Sequence, residues 1–153
     1  MSERPPEHDT DVTVEEVTVA TPAVAEALKR LIPELSSSAP PLTQTALEHI
    51  VSSPATILLV ARAPSGAILG SLTLVVFGAP TGARAWIEDV VVSTDARGRG
   101  VGAMLVNDAL DRARHAGART VDLTSRPSRE AANRLYVRLG FVQRQTNVYR
   151  RDL

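Results

Sequence analysis

The sequence predicts a mixed α/β (α+β) domain built on one central sheet. Three observations carry that prediction: helical periodicity early in the chain, three β-rich runs joined by turn signals in its middle, and a glycine-rich turn leading the last of those runs into a long amphipathic segment. A strand, a helix and a further strand in that order make a right-handed crossover, so the strand after the helix lies parallel to the one before it.

Residues 1–10 are charged and contain proline, and they read as a frayed tail; residues 11–153 read as a single domain, long enough to bury a core without disulfides or metal. Val12, Val14, Val17 and Val19 suggest a first strand whose alternation breaks around Glu15 and Glu16. Thr21 and Pro22 supply a cap and a first-turn proline, and Val24, Leu28, Leu31 and Ile32 follow at helical spacing until Pro33 disturbs the end. Residues 36–41 form a loop. Thr43 caps a second, short helix with Leu47, Ile50 and Val51, which Pro54 stops.

The period then changes. Residues 56–61 and 68–77 are β-rich and joined by Pro64-Ser65-Gly66, and residues 78–82 make another turn before the run 85–92, so these three strands should form an antiparallel meander. Val101, Leu105, Ala109 and Ala113, with Met104, Val106 and Leu110 beside them, give a wide apolar helix face that ends near Gly117. Residues 120–124 make a short buried strand. A helix opens at Ser128 and runs through Leu139 to Gly140, and Phe141, Val142, Val148 and Tyr149 mark a closing strand or pair of strands.

Composition narrows the function. The chain is 44% hydrophobic with 3% aromatics, which makes an aliphatic core. Its 17 basic and 17 acidic residues balance, so no global field draws it to nucleic acid or to an anionic membrane. The absence of cysteine excludes disulfides, thiolate metal sites and a cysteinyl intermediate. His8, His49 and His115 are scattered without metal spacing, and neither a serine-hydrolase elbow nor a P-loop is present. The first residues hold no apolar signal core, and no window approaches the ~18 apolar residues of a membrane span, so a soluble cytoplasmic protein is expected.

The chemistry centres on Arg97-Gly98-Arg99-Gly100-Val101-Gly102, directly after the run Trp86 to Val92. Glycines let backbone approach an anion, while the first turn of the following helix offers unpaired N–H groups and a partial positive charge. That is a socket for the pyrophosphate of a phosphate-bearing cofactor. A dinucleotide fingerprint looks similar, and Asp122 stands about where its acidic residue would, ~20 residues on; but such a fingerprint opens an early βαβ unit, whereas this turn follows a meander.

With Arg97-x-x-Gly100-x-Gly102 followed by Asn133-Arg134-Leu135-Tyr136-x-x-x-Gly140-Phe141, the chain resembles the GNAT superfamily of acyl-CoA-dependent N-acyltransferases. Both motifs lie in the C-terminal half, and the first half matches in element order alone. The resemblance implies a mixed central sheet of about six to seven strands with a V-shaped splay, flanked by about four helices. It also implies acetyl-CoA as co-substrate, no metal, and acetyl transfer to a primary amine of a small molecule or peptide.

Residue by residue, the resemblance implies that Val90, Val91 and Val92 exchange main-chain hydrogen bonds with the pantetheine arm, as a partner strand would. The amides of Arg97, Gly98, Arg99, Gly100, Val101, Gly102 and Ala103 hold the pyrophosphate, with the side chains of Arg97 and Arg99 either adding charge-assisted bonds or pointing to solvent. Asn133 would bind the cofactor arm, and Tyr136 would stand near the thioester sulfur as general acid, against the plainer reading of a core tyrosine. On helical spacing Asn133 and Tyr136 share one face, toward the cleft, and Ala131, Leu135 and Leu139 lie on the core-facing side.

A neutral amine must lose its proton. Glu88 and Asp89 are neighbours in a strand and so face opposite sides, which leaves at most one of them in the cleft. Ile87-Glu88-Asp89 also resembles the strand segment of GNAT enzymes that act on an amino-sugar phosphate, and it singles out Glu88 as base or water-positioner. Asp89, Thr124, Ser125, Arg126, Asn147 and Tyr149 are candidates for the acceptor wall. The region of Arg126 equally suits a carboxylate-bearing amine or a peptide N-terminus, so the acceptor stays open. A second reading is an acyl-CoA-binding regulatory module without catalysis. Residues 141–153 are too short for two long strands and a roomy turn, so the final strand either packs at an edge or reaches a second copy in a homodimer.

Overall fold

The computed structural model describes residues 11–153; the expected tail at 1–10 lies outside the described residues. The chain forms β1 (Thr13–Glu16), α1 (Pro22–Leu35), α2 (Gln44–Ser52), β2 (Thr56–Arg62), β3 (Ile68–Ala79), β4 (Gly82–Val92), a single 3-10 turn (Thr94–Ala96), α3 (Val101–His115), β5 (Val121–Asp122) and α4 (Glu130–Arg138). The sheet order is β1-β2-β3-β4-β5; the first three pairings are antiparallel and β4–β5 is parallel, as the crossover through α3 requires.

Alternation along the strands builds two cores. In β2, Leu58 and Val60 pack against α1 and α2, while Leu59 and Ala61 face α3 on the other side of the sheet. Thr21 and Thr43 cap their helices by accepting the N–H groups of Val24 at 3.3 Å and Ala46 at 3.1 Å. Pro33 sits in the last turns of α1 without ending it; the helix runs to Leu35 and closes with the Ser36 N–H on the Ile32 carbonyl. Glu15 and Glu16 break the apolar alternation of β1 because both are ion-paired, Glu15 to Arg62 at 2.7 Å and Glu16 to Arg112 at 2.9 Å. No helix among the described residues is long and apolar enough to cross a membrane.

Five expectations of the fold need correction. The described residues form five strands, not six to seven. The strand expected at 120–124 is reduced to Val121–Asp122, because β4 turns away and leaves it nothing to pair with. Residues 141–153 pair with no strand of their own chain, so the closing strand is absent from the sheet. The last helix begins at Glu130 and has Arg129, not Ser128, at its cap position with no side-chain capping bond. The turn before β4 is also tighter than expected: Ala79 pairs directly with Gly82.

Candidate active site

β4 and β5 are laddered only where Ala85 meets Val121 and Trp86 meets Asp122, supported by the Ala85 N–H on the Thr120 carbonyl at 2.9 Å. Beyond Trp86, β4 continues to Val92 along β3 alone, so its other edge carries unpaired backbone groups facing a gap. This is the splay of the sheet. A bulge sharpens it: Ser71 pairs with Val91 and Thr73 with Glu88, so Leu72 opposes both Asp89 and Val90, and Asp89 adopts the left-handed region at φ 50°.

The bulge changes which way every following side chain points. Ile87 packs on the α3 side; strict alternation would send Val91 there too, yet Val91 joins the α1–α2 core while Val90 and Val92 pack on the α3 side. The expectation that Glu88 and Asp89 face opposite sides therefore does not hold as an alternation argument. Asp89 is the extra residue, and both carboxylates are exposed.

At the end of β4 the chain passes through the 3-10 turn into the glycine turn. Gly98 and Gly100 have φ of 78° and 77°, conformations that side-chain-bearing residues rarely adopt, and a Cβ on either would meet nothing within 4 Å. The space in front of the turn is open. Gly100 is the N-cap of α3 and no side chain caps the helix, so the amides of Val101, Gly102 and Ala103 have no capping partner; the first helical bond is Met104 N–H to the Gly100 carbonyl at 3.1 Å. Arg97 and Arg99 are both exposed on this turn.

Gly102 has a packing role beside the one its motif suggests for its amide. An added Cβ would lie 3.2 Å from Leu135 Cδ2 and 3.7 Å from Val92 Cγ2, so the glycine lets α4 close against α3 and β4. Gly102→Val is expected to destabilise the fold by about 1–2 kcal/mol through overpacking, read as a lowered thermal midpoint. Unchanged stability would show that α4 is not held by this contact.

The structure brings Tyr136 to the α3-side core, with its ring edge-on to Phe141 at 5.8 Å between centroids and 65° between planes. Leu139 packs on the same core, Leu135 contacts the glycine turn and Ala131 is exposed, so the expected division of α4 into a polar cleft face and a leucine core face is corrected. The Tyr136 ring is packed but its hydroxyl makes no hydrogen bond to a described residue, and no buried side-chain polar atom among the described residues lacks a partner; Oη therefore reaches solvent. Burial pushes the phenol above its ordinary pKa of 10.0, with the Arg129 guanidinium pulling it down more weakly.

Asn133 donates from Nδ2 to the Arg126 carbonyl at 3.0 Å, which ties α4 to the segment following β5, the far wall of the gap. In that wall Ser125 is half-buried, and Thr124 and Arg126 are exposed. Asn147 donates to Tyr149 Oη at 3.3 Å on the exposed C-terminal segment. On the opposite side, Thr94 donates to Glu34 Oε1 at 3.1 Å and links the end of α1 to the turn region, beside a hollow of about 320 Å³ under the 36–41 loop.

Sequence reasoning missed Gly70, whose added Cβ would stand 2.8 Å from the Val91 carbonyl oxygen, and Arg129, which faces Tyr136 electrostatically. A glycine inside the β-rich run was the available signal for the first, since it marks close backbone approach. Nothing local pointed to the second.

Comparisons with known proteins bear on the fold and the family. A curated but uncharacterised N-acetyltransferase of Methanocaldococcus jannaschii is 38% identical over 59 residues, 39% of this chain, and the match spans only 26% of that protein. A solved structure from Agrobacterium tumefaciens strain C58, assigned as an acetyltransferase, superposes with a TM-score of 0.81 at 26% identity, covering 92% of this chain and 99% of the other. AAC(6')-Iy, solved in complex with the bisubstrate analogue CoA-S-monomethyl-acetylneamine, shares the fold with a TM-score of 0.77 at 18% identity over 93% of this chain and 98% of its own. The model of the acetyltransferase (GNAT) family matches residues 24–141, well over half the chain and both motifs, and the chain belongs to that family.

Proposed function

We propose that this protein is an N-acetyltransferase that moves the acetyl group of acetyl-CoA directly to a primary amine of a small molecule or peptide. One observation carries the reading: β4 loses its β5 partner at the same end of the sheet where α3 begins with an uncapped turn of glycines. An unpaired strand edge suits the amides of a pantetheine arm, and an uncapped helix start suits a pyrophosphate. Acetyl-CoA is the co-substrate of the family and supplies the acetyl thioester.

The chain's own groups supply the rest. Backbone of Val90, Val91 and Val92 would pair with the arm, and an N–H of that stretch would donate to the thioester carbonyl oxygen. The amides from Arg97 to Ala103 would hold the phosphates. Tyr136 Oη, protonated at neutral pH and open to solvent, would give its proton to the leaving sulfur. Glu88, exposed beside the bulge, would take the amine proton directly or through a water. Asn133 would act through its bond to Arg126, holding the far wall in place, with Asp89, Ser125 and Arg126 available to the acceptor. The AAC(6')-Iy complex, whose ligand joins CoA to an acetylated neamine, supports a small-molecule amine as the first class to try.

The test is thiol release from acetyl-CoA over a panel of primary amines, with calorimetry for acetyl-CoA alone. Turnover on any amine supports the enzyme; tight binding with no turnover on the whole panel favours a binding module. Glu88→Gln is expected to lower kcat/KM for the amine by roughly tenfold or more while acetyl-CoA affinity holds. An unchanged kcat/KM assigns the proton to water instead.

A further inference from the structure

We infer that the open part of the sheet face beside Glu88 is a subsite for the far end of the acceptor, and that this acceptor is a small zwitterion: a primary amine joined through an extended apolar body to a carboxylate. Residues paired across a ladder share a face. Thr73 pairs with Glu88, Val75 with Trp86 and Phe77 with Arg84, and the pairing of Leu58 with Thr73 puts this row on the α1–α2 side. The core on that side takes in Leu58, Val60 and Val91 but neither Val75 nor Trp86, both half-buried, and Phe77 is 40% exposed. The residues between them, Leu74, Ala85 and Ile87, are buried in the α3-side core. The row is therefore an apolar strip without helical cover, running from Glu88 to the turn where Ala79 pairs with Gly82.

Charge is sorted along the strip. At the Glu88 end, Asp122 is the ladder partner of Trp86 and shares its face, so two carboxylates neighbour the indole. At the turn end the Arg84 guanidinium lies over the Phe77 ring, 5.6 Å from its centroid. Arg119 stands beside it: Gly82 precedes Arg84 by two residues and so faces the same way, and a Cβ there would be 3.1 Å from Arg119 Cδ and 3.8 Å from its Nη1. Glu88, Asp122, Arg84 and Arg119 form no ion pair with any described residue. Acid and base are held apart by the apolar strip instead of neutralising each other, and a ligand of the opposite polarity satisfies both ends.

Arg84 and Glu88 are four residues apart along β4, about 13 Å. An amine at Glu88 and a carboxylate at Arg84 then stand at the two ends of a body of roughly 10 Å that lies over Trp86 and Val75. The arginine fork suits a carboxylate, and packing on Phe77 has already placed it, so little rotamer freedom is lost on binding. A second positive charge on the acceptor would meet Arg84 and Arg119 and be refused. The placement of the amine rests on the proposed role of Glu88 in acetyl transfer; the recognition of the carboxylate does not.

Trp86 is the only tryptophan of the chain, so its fluorescence reports occupancy of the strip without any turnover. With CoA present, 8-aminooctanoate is expected to change that fluorescence saturably and to bind roughly tenfold more tightly than octylamine, which lacks the carboxylate. Arg84→Gln should cut that advantage and Arg84→Gln/Arg119→Gln abolish it, with octylamine binding unchanged in both; Arg84→Lys should restore part of it, and Arg84→Glu should turn the preference to 1,8-diaminooctane. Both arginines are exposed, so the variants should keep the circular dichroism and thermal midpoint of the parent. A parent that shows no saturable change, or that binds 8-aminooctanoate and octylamine alike, overturns the inference, as does an advantage that survives in the double variant. Thiol release from acetyl-CoA separates the subsite from the acetyl-transfer reading. The same order is expected in kcat/KM; binding in that order with no thiol released from any amine leaves the subsite standing while acetyl transfer fails.

Discussion

Replacing Tyr136 by phenylalanine is expected to lower turnover by roughly 10²- to 10⁴-fold, the range a positioned general acid contributes, while acetyl-CoA affinity changes little. Phenylalanine keeps the ring that packs on the core and against Phe141. It removes only a hydroxyl that has no hydrogen-bond partner among the described residues, so no orphaned polar group is created there and stability should hold within about 0.5 kcal/mol. A tyrosine that served packing alone would lose nothing in turnover.

The direction of the pKa gives a second readout. Burial raises the phenol above 10.0, so it is protonated through the neutral range and any alkaline limb it causes in the rate profile lies above pH 10. The same shift is linked to stability: the folded state holds the proton more tightly, so the contribution is complete below pH 10 and is lost as pH rises through the folded value. The phenylalanine chain should lack both the limb and that loss.

What was legible in the sequence was what is decided locally. Thr21 and Thr43 announce their helices because a cap acts on an amide three residues on. The β2-β3-β4 meander follows from turn chemistry, and the parallel β5 from the handedness of the crossover. The glycine turn was legible as a turn through Gly98 and Gly100, whose backbone conformation only glycine takes easily.

What was not legible depends on distant partners. Asp89 breaks the alternation of β4 because Leu72 opposes two residues, and only the register with β3 reveals it; the local hint was an aspartate, a residue that tolerates the left-handed region, inside a β-rich run. β5 is short because β4 diverges, and Tyr136 turns to the core because α4 lies against Gly102 through Leu135. The sequence of residues 141–153 has the pattern of a strand, but the chain offers it no partner of its own, so pattern alone overstated the sheet.

Gly70→Val is expected to have the largest effect on folding of any single change at the site, although Gly70 touches no proposed ligand. The residue pairs with Val92 across the β3–β4 ladder. A Cβ there would stand 2.8 Å from the Val91 carbonyl oxygen, 3.2 Å from Leu105 Cδ1 and 3.4 Å from Val101 Cγ1. The first of these is backbone and cannot rotate away; the other two belong to buried side chains of α3. Valine must therefore push β4 from β3 or lift the start of α3, at a cost of about 3 kcal/mol, or roughly 10 °C in Tm for a chain of this size. Either displacement separates the splayed strand from the glycine turn, the two halves of the proposed cofactor site. Below the lowered midpoint, acetyl-CoA binding should therefore weaken in step with stability. A Gly70→Val chain that melts like the parent would show that this spacing is not set at Gly70; one that melts early but binds acetyl-CoA with full affinity would show that turn and strand bind independently.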